Sequence, residues 1–203
     1  MRPLFDSDTA AAAVFWGVLL AWGLLEWGGT WAEIRRLRRG GEGHAAEDKG
    51  TARLFFVAIY GGFGLAFLAA YEATWAAVPG ARWVSFALGV TLMVAGIAIR
   101  QWAVQTLGPL FTREVRIQEG HRLVTAGPYR LVRHPSYAAG LLSDAGFGLA
   151  LGNWLSILAA VVPILAVMLW RIRVEEDALR RGLGTDVYDR YAANRARLVP
   201  GVW

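Results

Sequence analysis

Cysteine is absent from this 203-residue chain. Disulfides, thiolate nucleophiles and Cys-based metal sites are therefore excluded. Lysine is nearly absent: Lys49 is the only one, so the net charge of +5 is carried almost wholly by arginine. The three histidines, His44, His121 and His134, lie far apart. Neither HxxxH nor HExxH spacing occurs, which argues against metal catalysis. There is no GxGxxG and no Walker loop, so a Rossmann-type cofactor domain is not expected. A basic stretch ahead of the first apolar run is missing too. Asp6-Ser7-Asp8 stands there instead, and no cleavable signal peptide is expected. Polar surface is scarce: hydrophobic residues make up 56% and mean hydropathy is +0.37, more than a soluble domain carries. In so apolar a chain the arginine excess points to anionic lipid headgroups as partner, not to nucleic acid.

What is present is a set of five apolar stretches, Ala10–Trp27, Leu54–Tyr71, Trp83–Ile99, Tyr137–Leu151 and Trp154–Trp170. A helix needs about 20 residues to cross a bilayer. The first three qualify once their interfacial Trp and Tyr ends are counted; the fourth is short. "LGNW" at 151–154 leaves room only for a tight turn, so the last two form a helical hairpin. "YGGFG" at 60–64 and the pair Gly148/Gly152 mark places for close helix approach. Arginines cluster in alternate connections. They fill "EIRRLRRGGEGHAAEDKGTARL", recur as Arg113, Arg116, Arg122, Arg130 and Arg133, and return in the tail, while "EATWAAVPGAR" is nearly uncharged between its ends. The positive-inside rule then puts the N-terminus outside and the basic connections and C-terminus in the cytosol. The fold class expected is all-α: a polytopic integral membrane protein of about five transmembrane helices, with a cytosolic helical tail. Residues 1–100 hold spans one to three; 101–203 hold the hairpin and the tail, and form the second unit. In the tail, Thr185 or Asp186 should cap a helix that stops at Pro200-Gly201.

Polar residues concentrate at the cytosolic end. In "GPYRLVRHPSYAAG", Pro128 and Pro135 disturb the backbone and leave polar groups to be satisfied. Irregular backbone at membrane depth persists only against protein or a wet cavity. Pro135 suits the first turn of the fourth helix, with His134 at its N-cap, where free amides favour a carboxylate. A His-Pro turn followed by Ser136 and Tyr137 is more than a lipid-contacting loop requires. Arg171 and Glu175 share a helix face, either as an ordinary salt bridge or facing that doorway. Asp144, midway along the fourth stretch, is either a functional acid, a partner of a neighbour such as Arg100, or protonated.

"GHRLVTAGPYRLVRHPSYAAG", then an apolar hairpin, then "EEDALRRGLGTDVYDRYAANRARLVPG", resembles the isoprenylcysteine carboxyl methyltransferase family over Gln101 to Gly201. The resemblance implies an integral membrane methyltransferase that uses S-adenosylmethionine at the cytosolic face of the cell membrane. Carried over residue by residue, it implies cofactor contacts at His121, Arg122, Leu123, Val124, Tyr129, His134, Pro135, Ser136, Tyr137 and Glu175. It also implies catalytic roles for Arg171 and Glu175, with Arg171 clamping the carboxylate of an acceptor. The partners implied are membrane lipids and a lipid-like or apolar methyl acceptor, with no metal and no nucleic acid. A prenylcysteine-type carboxylate, a phospholipid and a small thiol all remain open as acceptor. Open too are an NADPH-dependent reductase of the sterol type and a non-catalytic membrane protein.

Overall fold

The computed structural model describes residues 2–38, 48–115, 117 and 120–201. Among these it is helical, with no strand. The main helices are α1 (Thr9–Arg38), α2 (Thr51–Glu72), α3 (Arg82–Leu107), α4 (Pro135–Ala150), α5 (Trp154–Leu183) and the short α6 (Thr185–Ala192).

Four of the apolar helices, α1, α2, α3 and α5, are long enough to cross a membrane. The fifth expected span, α4, has 16 residues, about 24 Å at about 1.5 Å per residue. It nevertheless runs from one end of the bundle to the other. At one end, Arg82 donates to the Pro3 carbonyl, and Val78 N–H donates to the Gly152 carbonyl. That ties together the N-terminal turn, the α2–α3 connection and the α4–α5 turn. The opposite end gathers Asp48, Arg113, His134 and the extended C-terminal part of α5. The five apolar helices thus alternate up and down, as the charge pattern requires.

In lipid, apolar burial does not by itself drive helices together; close packing and polar bonds do. α4 packs most extensively on α3, and α2 on α5. A Cβ at Gly146 of α4 would lie 2.6 Å from the Gly89 carbonyl of α3, so the two backbones nearly touch. Ser156 Oγ donates to the Ala66 carbonyl at 2.6 Å, pinning α5 to α2. Asn153 caps α5 by accepting from the N–H groups of Leu155 and Ser156, and its Nδ2 donates to the Ala69 and Ala73 carbonyls. One side chain thus closes the hairpin and fixes it to α2. Phe147 fills the centre: Phe63 stacks on it at 4.2 Å and Phe15 at 5.8 Å, so α1 and α2 meet on α4. Of the glycines expected at contacts, Gly62 and Gly148 face neighbouring backbone, while Gly61, Gly64 and Gly152 have open space beyond them.

The tail departs from expectation in two details. The N-cap of α6 is Gly184, not Thr185 or Asp186. Gly184 has φ +95°, a conformation a glycine adopts without a Cβ penalty, and so serves as C-cap of α5 and N-cap of α6 together. The helix also ends at Ala192, well before Pro200-Gly201, because residues 193–198 fold back on the α4 doorway.

Candidate active site

The tail's return builds the doorway. Arg133 N–H donates to the Ala196 carbonyl at 2.8 Å, and His134 N–H to the Arg197 carbonyl at 3.0 Å. The irregular backbone around Pro128 and Pro135 thereby finds the partners its sequence left owing. Below this strap sits Glu176, only 1% exposed. Its carboxylate receives Arg133 at 2.8 Å, Arg197 at 3.0 Å and His134 Nε2 at 3.3 Å. Three cationic or polar groups from two distant segments converge on one buried acid, so Glu176 organises the doorway. Glu176 is not among the site residues the sequence implied; its partner Arg197 lies 21 positions on, beyond any helical spacing rule.

His134 is the N-cap of α4 and Pro135 its first residue, as expected, though the imidazole makes no capping bond. The ring instead stacks on Tyr137 at 5.5 Å. Its Nδ1 is 3.7 Å from Glu175, too far for a hydrogen bond.

Arg171 and Glu175 do not pair directly. Arg171 Nε donates to the Tyr137 hydroxyl at 2.9 Å, and that hydroxyl donates to Glu175 Oε2 at 2.8 Å. Arg171 is 5% exposed. Its Nη1 donates to Asp48 Oδ1 at 2.7 Å and to Thr51 Oγ1 at 2.8 Å, and its Nη2 to the Arg113 carbonyl. The guanidinium expected to clamp an acceptor is therefore already engaged by the chain's own carboxylate. Asp48 lies outside the segment that carried the resemblance. Burial alone would raise its carboxyl, but the Ala52 N–H, the Thr51 hydroxyl and Arg171 together hold it below the usual range.

A second ion pair ties α1 to α3: Arg100 grips Glu26 through Nε and Nη2, and Arg113 joins it at 3.3 Å. Arg100 is thus the partner of Glu26. Asp144, 3% exposed, keeps an Oδ2 with no hydrogen-bond partner among the described residues.

Arg100, Arg113, Arg133, His134, Tyr137, Arg171 and Glu175 line one cavity with about 1170 Å³ of unfilled space, its mouth included. Of the eleven expected site residues only Pro135 stays off its wall. His121 to Val124, Tyr129, His134, Ser136, Tyr137, Arg171 and Glu175 all line it. Apolar side chains share that wall: Phe55 and Phe56 from α2, Leu107 from the end of α3, and Leu110 and Phe111 just beyond. Glu175 keeps a third of its side chain exposed. His121 Nδ1 is buried without a partner among the described residues. Burial lowers the His121 imidazole against the pull of Glu175, so it is neutral near pH 7. Burial likewise raises the Tyr129, Tyr188 and Tyr191 phenols, which keeps them protonated.

Residues 88–181, which hold most of this wall, match the family described as isoprenylcysteine carboxyl methyltransferase (ICMT). The chain is 37% identical over 112 residues to the probable protein-S-isoprenylcysteine O-methyltransferase of Oryza sativa subsp. indica, covering 54% of this chain and 58% of that protein. It is 38% identical over 122 residues to protein-S-isoprenylcysteine O-methyltransferase A of Arabidopsis thaliana, covering 59% and 61% respectively. It is also 28% identical over 97 residues to the uncharacterized protein YpbQ of Bacillus subtilis, covering 47% and 58%. The chain thus spans about three fifths of the length of these relatives. Its segment 88–181 is thus similar to the isoprenylcysteine carboxyl methyltransferase family.

Proposed function

We propose that the chain is a membrane methyltransferase that passes the methyl group of S-adenosylmethionine to the carboxylate of an S-isoprenylcysteine-like acceptor. One observation carries this reading: residues from four separated segments, 121–124, 129, 134–137 and 171–175, converge on a single cavity whose wall is part polar and part apolar. A water-soluble ligand and a lipid acceptor call for such a mixed lining.

The residues present fit the cofactor. Its ammonium would meet the carboxylate of Glu175, which accepts from the Tyr137 hydroxyl on one oxygen and has lone pairs to spare. Its adenosine would meet the backbone of His121 to Val124, where the unpartnered His121 Nδ1 offers a polar atom. Its carboxylate would meet the start of α4 near Ser136. When bound, S-adenosylmethionine supplies an electrophilic methyl group on a sulfonium. The chain's part is alignment and exclusion of water. A carboxylate acceptor is already ionised, so no general base is needed, and the neutral His121 and the protonated tyrosines suffice. Phe55, Phe56 and Leu110 suit the isoprenoid. The basic end of the bundle faces the cytosol and the N-terminus lies outside.

The test is transfer of radiolabelled methyl from S-adenosylmethionine to N-acetyl-S-farnesylcysteine by the purified protein in lipid nanodiscs. The account expects a product whose label is released as methanol by base, the mark of a methyl ester. Base-stable label carried by the nanodisc lipid and not by the farnesylcysteine would indicate a different acceptor instead.

A further inference from the structure

We propose that Asp48 is a positioning residue that keeps Arg171 away from Glu175 and so leaves Glu175 facing the cavity; this rests on the methyltransferase reading for what the cavity binds. Arg171 and Glu175 carry opposite charges one helical turn apart, the spacing at which such side chains normally pair. Here they do not pair. Asp48 takes the Nη1 edge of the guanidinium at 2.7 Å. It is itself held by the Thr51 hydroxyl at 2.8 Å, the Ala52 N–H at 2.8 Å and the Val115 N–H at 3.3 Å. A buried carboxylate with this many donors is fixed in place behind the wall.

The consequence runs along a chain of contacts. With Nη1 anchored, Arg171 Nε points at the Tyr137 oxygen and occupies a lone pair there. The phenol has one proton, and it is thereby sent to Glu175 Oε2. Glu175 is held by a neutral donor on one oxygen, and among the described residues no cation hydrogen-bonds it, so its carboxylate stays open toward the cavity. Without Asp48, the nearest carboxylate for Arg171 is Glu175 itself, and the pair would neutralise the group that receives a ligand ammonium. Asp48 stands in the α1–α2 connection, outside segment 88–181. The N-terminal helices thus contribute to the site by setting an arginine of the core.

The test uses the full chain in detergent and calorimetric titration with S-adenosylhomocysteine. Asp48→Asn should weaken binding about tenfold, the order of one charge-assisted hydrogen bond. Asp48→Glu should recover part of the loss. In a Glu175→Gln background, Asp48→Asn should change affinity less than twofold, because the group it acts through is gone. Equal loss in both backgrounds, or no loss in folded Asp48→Asn, overturns the proposal. If Asp48→Asn does not fold, Thr51→Val decides: a roughly threefold loss that vanishes with Glu175→Gln supports the proposal, and any other pattern refutes it. If the unmodified protein binds no S-adenosylhomocysteine, the methyltransferase reading falls. A structure of Asp48→Asn (or Thr51→Val) then decides the positioning claim alone. Arg171 turned onto Glu175 supports it; an unchanged Arg171–Tyr137–Glu175 arrangement refutes it.

Discussion

His121 carries an acid sensitivity that begins nearer neutrality than that of the buried carboxylates around it. Its imidazole is lowered by burial in the folded protein, against an ordinary value of about 6.5 when unfolded. The unfolded chain therefore binds the proton first. The contribution of neutral His121 to stability is full above about pH 6.5 and is lost as pH falls from there through the lower folded value. Thermal melts in detergent between pH 7.5 and 5 should show this loss, and His121→Gln should remove that component of the slope. An identical slope in both proteins would assign the acid sensitivity to other groups. Single residues were legible where chemistry is local. Pro135 announces the first turn of a helix, and a His-Pro-Ser-Tyr run beside arginines announces a polar doorway. Glu176 and Asp48 were not legible as site residues. Their partners lie 21 and 123 positions away, and a lone acid in a sequence does not say which arginine folding will bring to it.

At the scale of elements, α5 illustrates how helices find each other in lipid. Pro163 lies within it and has no N–H to give the Ala159 carbonyl one turn earlier. That carbonyl faces Gly62 of α2, where a Cβ would sit only 2.9 Å away. The glycine lets α2 close over the interrupted stretch. Gly62→Ala should therefore lower stability by about 1–3 kcal/mol through overpacking. Gly61→Ala, with nothing within 4 Å of its added Cβ, should be neutral or slightly stabilising. Paired melts in the same detergent check this, and equal melting temperatures would mean that α2 and α5 are looser than described. The apolar stretches located all five long elements because hydropathy is a local property. Their ends were misjudged outward: α1, α3 and α5 run well past their apolar parts, since a helix continues into water wherever charged faces satisfy it. α6 ended early for the converse reason: the strap over the doorway claims the backbone of residues 193–198.

At the scale of the whole molecule, alternating arginine-rich connections correctly implied helices that alternate in direction, and the bundle brings every described basic connection to one end. The absence of cysteine makes its placement in the membrane directly testable. Ala81→Cys, at the end opposite the basic connections, should react with an impermeant maleimide in intact cells, and Ala193→Cys only after permeabilisation. Reaction of both in intact cells would refute the proposed orientation. Charge and hydropathy gave the layout, but what the cavity binds came from residues that sequence order scatters and folding collects. The central claim is that this cavity receives S-adenosylmethionine, and calorimetric titration of the purified protein with S-adenosylhomocysteine and, separately, NADPH tests it most directly. The account predicts one S-adenosylhomocysteine bound per chain, weakened about tenfold or more by Glu175→Ala or His134→Ala, and no saturable heat from NADPH. Saturable binding of NADPH with none of S-adenosylhomocysteine would contradict it and make the chain a reductase.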